Sequence, residues 1–179
     1  MKKDRRAQNE LYKVCYSYMM SICSRYEANI EDAKATLNFC FLKVIINLEK
    51  YRPEVPFTLW VRRITINTII DEFRKNKKMK DATSVVDFQM EVKEIHGYDI
   101  NAYISKVNVE EIERMIKELP EMPRKIFNLY VVDGYDHNEI AKMLNIPAGT
   151  SRWHLSTAKE SLKEKVLKLQ EKNYKYFAS

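Results

Sequence analysis

The stretch that decides the fold is DHNEIAKMLNIPAGTSRWHLSTAK, residues 136–159. Asp136 can cap a helix start, and Glu139, three residues later, completes a capping box. Asn145 tolerates the left-handed backbone that ends many helices, and Pro147 suits the first turn of a second helix. The spacing therefore predicts two helices joined by a tight corner, which is a helix-turn-helix. The pattern alone also fits an ordinary two-helix hairpin.

The second helix of this motif has two distinct faces. Its inner face is expected to carry the small and apolar residues that recur at helical spacing, which are Ala148, Ser151, Leu155, Ala158 and Leu162. Its outer face offers groups that can read duplex DNA, because an arginine can grip guanine with two hydrogen bonds. The candidate DNA-contacting residues on this outer face are Gly149, Arg152, Trp153, Ser156 and Lys159.

Three further helical segments are predicted before residue 81. The first covers residues 8–26 and is expected to bury Val14 among its apolar positions. The second is capped by Asn29, and the third starts at Pro56 and ends in the basic run RKNKKMK. The face of the third helix expected to point away from the core carries Arg63, Asn67, Asp71 and Arg74.

Composition and charge divide the 179 residues into three parts. Glycine is scarce, with only three residues, and strand-like alternation is also scarce, so the chain is predicted to be all-α. Residues 1–80 carry a net charge of +8, residues 81–105 of −4 and residues 106–179 of +2. We expect two small helical domains, 1–80 and 107–179, joined by an acidic flexible linker over 81–106.

Several classes of protein are disfavoured by the same sequence. The three cysteines form no metal-ligand pair, and their odd number, together with no visible signal segment, favours a cytoplasmic protein. No apolar run approaches a membrane span, so no direct membrane insertion is expected. No catalytic constellation is recognisable. We therefore expect no enzyme, no small-molecule substrate, no cofactor and no metal.

The first part of the chain also offers candidate contacts to nucleic acid. A basic track along and beyond the third helix can neutralise phosphates, although a solvated helix end has the same composition. Asn67 offers both a donor and an acceptor to a base edge, or it caps or bridges neighbouring side chains. Tyr51 and Arg52, in the loop before the third helix, are placed to stack on an unpaired base, whereas Trp60 is expected to belong to the core.

Both parts of the chain resemble an extracytoplasmic-function (ECF) sigma factor, of the sigma-70 family of bacterial RNA polymerase. FTLWVRRITINTIIDEFRKNKK (57–78) is similar to the family's signature of an aromatic residue, a tryptophan, an Arg-Ile pair and then Asn, Asp and Arg. EDAKATLNFCFLKVIINL (31–48) resembles the preceding helix, and residues 119–162 resemble the family's end domain. The resemblance covers roughly residues 8–78 and 107–165.

The resemblance implies a function and a set of partners. The first domain, sigma region 2, would bind the clamp of the largest polymerase subunit and open the −10 element. The second, sigma region 4, would bind the −35 element and rest on the polymerase flap, and an anti-sigma factor would be a further partner. Positions implied to handle the melted −10 strand are Lys50, Tyr51, Arg52, Arg62, Arg63, Asn67, Arg74 and Lys75. Positions implied to face polymerase are Glu31, Asp32, Asn38, Leu42 and Lys43.

The sequence departs from the family pattern at functional positions. Ala35, Asn38 and Phe39 stand where the family usually has an acidic residue, a Gln and a Glu, so the sequence alone does not give core affinity. Trp153 replaces a small residue, so the promoter sequence is not inherited from relatives either. Exposed side chains such as Phe39 and Trp153 motivate the expected inhibitor. Two alternatives remain: a stand-alone helix-turn-helix regulator that acts as a dimer, and a helical module that binds only protein.

Overall fold

The computed structural model describes residues 4–81 and 108–177, with side chains placed for 4–77 and 108–171. These residues form two compact units, one in each range. Both units are helical, and neither described range contains a strand, so the predicted all-α class is confirmed. The predicted linker, 81–106, lies almost entirely outside the described residues.

The first unit is a bundle of three helices, α1 (Arg5–Tyr26), α2 (Ile30–Asn47) and α3 (Phe57–Asp81). Asp4 caps α1 by accepting hydrogen bonds from the amides of Arg6 and Ala7. Asn29 caps α2 by accepting from the amide of Asp32, as its position in the sequence predicted. A 3-10 turn, Leu48–Lys50, ends α2 and was not foreseen.

The core of the first unit lies among all three helices, which pack on one another pairwise. It is built mainly from aliphatic and sulfur-containing side chains with two aromatic residues, and includes Met19, Ile22, Cys23, Tyr26, Leu37, Cys40, Val44, Ile66, Ile70 and Phe73. Val14, which was expected in this core, is 74% exposed, so that expectation is wrong. Its neighbour Cys15 takes the inward position, because the buried stripe of α1 runs through residues 15, 19, 22, 23 and 26.

The second unit contains four helices. They are α4 (Val109–Lys117), α5 (Glu121–Phe127), α6 (His137–Leu144) and α7 (Ala148–Phe177), and α5 continues into a wide π-helical turn, Asn128–Val132. Helix α7 contacts each of the other three helices and so forms the spine of the unit. The buried Arg124 donates hydrogen bonds to the carbonyls of Lys117 and Leu119 at 2.7 and 3.2 Å, which satisfies the end of α4.

Helices α6 and α7 form the predicted helix-turn-helix. Asp136 accepts hydrogen bonds from the amides of Asn138 and Glu139, and the Glu139 side chain accepts from the amide of Asp136, which completes the capping box. Asn145 ends α6 with φ 55° and ψ 52°, the left-handed conformation that an L-residue adopts most readily when it is an asparagine. These local signals fix the corner between the two helices.

Candidate nucleic-acid interface

The helix-turn-helix leaves one face of α7 outside the core. Ser151, Leu155, Ala158 and Leu162 are buried, as predicted, and Ala148 is half-buried. On the opposite face Arg152 is exposed, and the other four candidate DNA-contacting residues are half-buried: Gly149, Trp153, Ser156 and Lys159. The first three turns of α7 therefore gather all five candidates on one helix, with a guanidinium at the most exposed position.

A polar contact fixes α7 against α6. Nδ1 of His137 and Oγ of Ser151 lie 2.9 Å apart and share a hydrogen bond, and Ser151 is fully buried. The imidazole also stacks on the ring of Tyr130, with 4.5 Å between ring centroids. Burial lowers the pKa of His137, and the nearby positive charges of Arg152 and Lys159 lower it further against the opposing effect of Asp136. Burial and the two cations therefore favour the neutral form of the imidazole.

Trp153 was expected to be an exposed side chain, and the structure corrects this. It is half-buried, and its ring meets His154 edge to face with 4.7 Å between centroids. Thr157 donates a hydrogen bond from its hydroxyl to the carbonyl of Trp153 at 3.0 Å. Part of the indole remains accessible, so Trp153 is a packed but reachable apolar surface on the outer face of α7.

In the first unit, α2 and α3 enclose a groove of about 260 Å³. Asn67 is exposed on its α3 side, whereas Lys43 and the half-buried Phe39 come from α2. Lys43, which the resemblance assigns to polymerase, therefore lines the same groove as Asn67 and Lys75, which it assigns to the melted strand. Its lining consists of Phe39, Lys43, Asn47, Ile64, Asn67, Thr68, Asp71, Glu72 and Lys75.

The loop before α3 carries an aromatic cluster. The ring of Tyr51 lies 5.3 Å from that of Phe57 and 5.2 Å from that of Trp60, measured between centroids. The Tyr51 hydroxyl donates to the carbonyl of Val55 at 3.0 Å, which fixes the ring. Trp60, which was expected to lie in the core, is half-buried within this cluster, so that it is only partly a core residue. The flanking candidates Lys50 and Arg52 are exposed.

The basic candidates on α3 differ in their surroundings. Arg63 is exposed and Arg62 is half-buried. Arg74 forms an ion pair with Asp71, and Lys75 forms one with Glu72 at 2.7 Å, in each case three residues away along the helix. Arg74 and Lys75 therefore each already have a carboxylate partner on their own helix.

The predicted polymerase-facing residues all lie on α2. Glu31 and Asp32 are exposed in its first turn, where negative charge is favourable next to the helix dipole. Asn38 is exposed, and its Oδ1 accepts a hydrogen bond of 2.9 Å from the hydroxyl of Tyr12 on α1. Leu42 is 51% exposed. The ammonium of Lys43, which is half-buried, lies 5.3 Å from the centroid of the Phe39 ring.

Phe39 was also expected to be exposed, and the structure corrects this as well. The side chain is half-buried, because it faces the groove beside α3 and is covered by Lys43. Neither the groove nor the Tyr12–Asn38 hydrogen bond was foreseen. Both join segments that are far apart in the sequence, and periodicity along one helix carries no signal for such contacts.

Neither a membrane-spanning helix nor a metal-binding cluster occurs among the described residues. Among residues 4–81 and 108–177, no helix is long and apolar enough to cross a membrane. Within the same ranges, no group of three or more His, Cys, Asp or Glu side chains is arranged to hold a metal ion.

Comparison with protein families places one match on each unit. The sigma-70 region 2 family matches residues 5–79, which are the first unit. The sigma-70 region 4 family matches residues 109–162, which contain α4 to α6 and the first half of α7. The two regions occur in the expected order along the chain.

Whole-chain comparisons agree. The chain is 29% identical over 172 residues to the ECF RNA polymerase sigma-E factor of Escherichia coli K12, covering 92% of this chain and 89% of the relative. It is 24% identical over 171 residues to the ECF RNA polymerase sigma factor SigW of Bacillus subtilis, covering 92% and 91%. The sigma factor RpoE, solved in complex with the anti-sigma factor NepR from Bartonella quintana, shares the fold, with a TM-score of 0.50, 14% identity and coverage of 89% and 96%.

Proposed function

The chain belongs to the ECF group of the sigma-70 family, and from this premise we propose that its two units read two separated elements of one promoter. As a sigma factor it binds core RNA polymerase and promoter DNA and directs the initiation of transcription. The proposal that each unit reads a different promoter element is supported by one observation: each compact unit matches a different sigma region. We assign region 2 to residues 1–80, the linker to 81–106 and region 4 to 107–179.

The second unit is assigned to the −35 element. The support is the helix-turn-helix itself, since such motifs place the start of their second helix in the major groove. Arg152 would contact a base edge or a phosphate, and Trp153 would contact a thymine methyl or a sugar. Gly149, Ser156 and Lys159 complete the proposed −35 surface.

The first unit is assigned to the melted −10 strand. Asn67 is exposed at the edge of the groove between α2 and α3, where its amide can pair with an unstacked base. Capture of such bases would stabilise the open complex by binding energy, with no covalent chemistry. The proposed contacts are Lys50, Tyr51, Arg52, Arg62, Arg63, Asn67, Arg74 and Lys75.

Sigma factors are transcription regulators, and we propose that this chain is not an enzyme and acts in the cytoplasm, where polymerase and promoters are found. Polymerase would be bound through Glu31, Asp32, Asn38, Leu42 and Lys43, which all lie on α2. The clamp of the largest subunit would bind the first unit and the flap would bind the second.

An anti-sigma factor is a further proposed partner. Its original motivation, full exposure of Phe39 and Trp153, does not hold, because both are half-buried. The support that remains is an exposed apolar surface in the second unit, formed by Tyr130, Val131 and Val132, which are 39–49% exposed. Affinity purification from the native organism tests it, and recovery of polymerase alone would contradict it.

Run-off transcription is the direct test of the proposed function. Purified core polymerase is incubated with genomic fragments, with and without the chain. We expect discrete new transcripts only when the chain is present. If the chain protects a two-fold symmetric DNA site without polymerase and yields no transcripts, it is a stand-alone regulator instead.

A further inference from the structure

A cluster of basic side chains lies where α6 meets α7. It consists of Arg152, Lys159 and the imidazole of His137, which is close enough to both cations for their charges to act on it. Arg152 is exposed, and Lys159 and His137 are half-buried, so all three side chains reach the surface of the second unit. The two cations lie on the outer face of α7, whereas His137 is the first residue of α6. A titratable group on one helix is thus next to the face of the other helix that is expected to meet DNA.

Two contacts hold the imidazole of His137 in place. Its Nδ1 shares a hydrogen bond of 2.9 Å with the hydroxyl of Ser151, the residue directly before Arg152, and its ring stacks on Tyr130. A hydroxyl can both donate and accept a hydrogen bond, so the contact with Ser151 is possible for the neutral and for the protonated ring. The imidazole can therefore gain a proton without leaving its place beside Arg152.

The surroundings of the imidazole oppose its protonation in the free chain. Burial lowers the pKa of His137, and Arg152 and Lys159 on α7 lower it further, whereas Asp136, the cap of α6, raises it. The remaining neighbour, Tyr130 on the π-helical turn, contributes an uncharged ring. Duplex DNA would bring a dense row of phosphates to the two cations. The phosphates would offset their charge while the effect of Asp136 persists, so the pKa of His137 is expected to rise when DNA binds.

We propose that His137 takes up a proton when promoter DNA binds the outer face of α7, so that mild acid strengthens promoter binding. The inference rests on the proposed function, because it requires this face of α7 to meet DNA. The sign follows from the protons bound in each state: the DNA-bound form has the higher pKa at His137 and binds more protons, so acid favours it. The gain is absent well above the pKa of the bound form and is complete below the pKa of the free chain.

The first test compares promoter affinity in mild acid and mild base. Holoenzyme made with the full chain is titrated onto a promoter found by run-off transcription. From about pH 8 to about pH 6, the wild-type chain is expected to gain about three- to tenfold in affinity relative to His137→Gln. Glutamine does not titrate but can still bond to the hydroxyl of Ser151, so the second unit is expected to stay folded. His154→Gln, at a half-buried histidine on α7, is the matched control and should keep the wild-type pH dependence.

Calorimetry measures the proton itself. Promoter binding by the holoenzyme in two buffers of different ionisation enthalpy gives the number of protons taken up, and near pH 6 the wild-type chain should take up about half a proton more than His137→Gln. Arg152→Ala should also take up less than wild type, because this variant removes one of the cations that lower the pKa of His137 before DNA binds. Arg114→Ala, at an exposed position on α4, is the matched control and should take up as much as wild type.

The outcomes separate this inference from the proposed function. If the wild-type holoenzyme forms no promoter complex in mild base, the proposed function is wrong. If the complex forms, but wild type and His137→Gln have the same pH dependence and the same proton uptake, the inference alone is wrong. It is also wrong if acid weakens the wild-type complex more than the His137→Gln complex. Partial unfolding in acid does not mimic the expected result, because the lowered pKa of His137 makes acid destabilise the free wild-type chain more than the variant. Circular dichroism of each variant at both pH values verifies that the helical content is retained.

Discussion

His137 and Ser151, fourteen residues apart, share a hydrogen bond across the two helices of the helix-turn-helix. The contact links the first turn of α6 to a fully buried position on α7, one residue before Arg152. A hydroxyl at a core position is unfavourable unless it is hydrogen-bonded, and His137 supplies the partner. The packing of α7 against α6 therefore includes a buried hydroxyl that has the imidazole of His137 as its hydrogen-bond partner.

Acid is expected to destabilise the second unit through His137. Its folded pKa is lowered, mainly by burial, so below about pH 6.5 the unfolded chain binds more protons than the folded one. The stability contribution is fully present above pH 6.5 and is lost as the pH falls through the folded pKa. Thermal unfolding followed by Trp153 fluorescence, in a Trp60→Phe background, measures this unit alone.

The variant His137→Gln provides the control for that pH dependence. It removes the titrating group, and the melting temperature between pH 7 and pH 5 is expected to fall less steeply than in the parent chain. An identical slope for the two proteins would show that other groups control the acid response.

Removal of the Arg152 guanidinium should weaken −35 recognition without affecting polymerase binding. Arg152→Ala is expected to reduce holoenzyme affinity for its promoter about 5- to 150-fold, the effect of losing about 1–3 kcal/mol. The upstream footprint should shorten, and core affinity should be unchanged. Arg114→Ala, at an exposed position on α4, is the matched control. Arg152 also helps to lower the pKa of His137, so the variant should raise that pKa, as measured by NMR titration.

Gly149→Ala separates stability from recognition. An added Cβ meets nothing within 4 Å, and alanine favours the helix by up to about 1 kcal/mol, so the variant should be at least as stable as the parent. Promoter binding should nevertheless weaken, because the added methyl group blocks close approach of DNA. Gly134→Ala is the contrasting control, since its φ of +78° makes any side chain costly, and it should lower the melting temperature. Unchanged promoter affinity of Gly149→Ala would remove this residue from the DNA surface.

Asn67→Ala should impair promoter melting more than promoter recruitment. The exposed amide lies at the groove between α2 and α3, so its loss removes a base contact that forms only after strand separation. Permanganate reactivity of unpaired thymines near the start site is expected to fall several-fold, while the closed-complex footprint persists. Asn76→Ala changes an exposed asparagine on the same helix and should leave both measurements intact. An equal effect of both variants would contradict a specific role for Asn67.

The thiols of the first unit should react only after it unfolds. Cys15, Cys23 and Cys40 are buried. A hydrogen bond with Cys23, together with burial, strongly raises the pKa of Cys40, and burial raises that of Cys15. Since the thiolate is the reactive species, Ellman's reagent is expected to label none of the three in the native chain and all three in denaturant. Fast labelling of the native chain would reveal local opening of α1 or α2.

The helix-turn-helix was predictable because its signals are local. The capping box of Asp136 and Glu139 and the left-handed Asn145 depend on neighbours within a few residues, and the structure contains them as expected. The starts of α2 and α6 were also correct, for the same reason. The start of α1 was predicted less accurately: the helix begins at its cap, Asp4, whereas apolar periodicity indicated a start three residues after Arg5.

The features that sequence reasoning missed depend on contacts between helices. Val14 fits an apolar pattern but faces outwards, because α2 and α3 determine which part of the wide apolar stripe of α1 is covered. Phe39 was taken for a surface residue, yet it lines a groove that exists only when α2 and α3 pack together. Its partner Lys43 could be inferred from spacing along one helix, whereas Asn67 could not.

The ion pairs Arg74–Asp71 and Lys75–Glu72 are expected to affect the affinity of the protein for DNA outside promoters. Asp71 and Glu72 already pair with Arg74 and Lys75. A DNA phosphate must therefore displace the carboxylate before it can pair with the cation. DNA that offers only its phosphate backbone gains little binding free energy from this exchange. A strand that also inserts a base gains a second contact. We therefore expect the acidic side chains of α3 to weaken binding to nucleic acid that offers only phosphates.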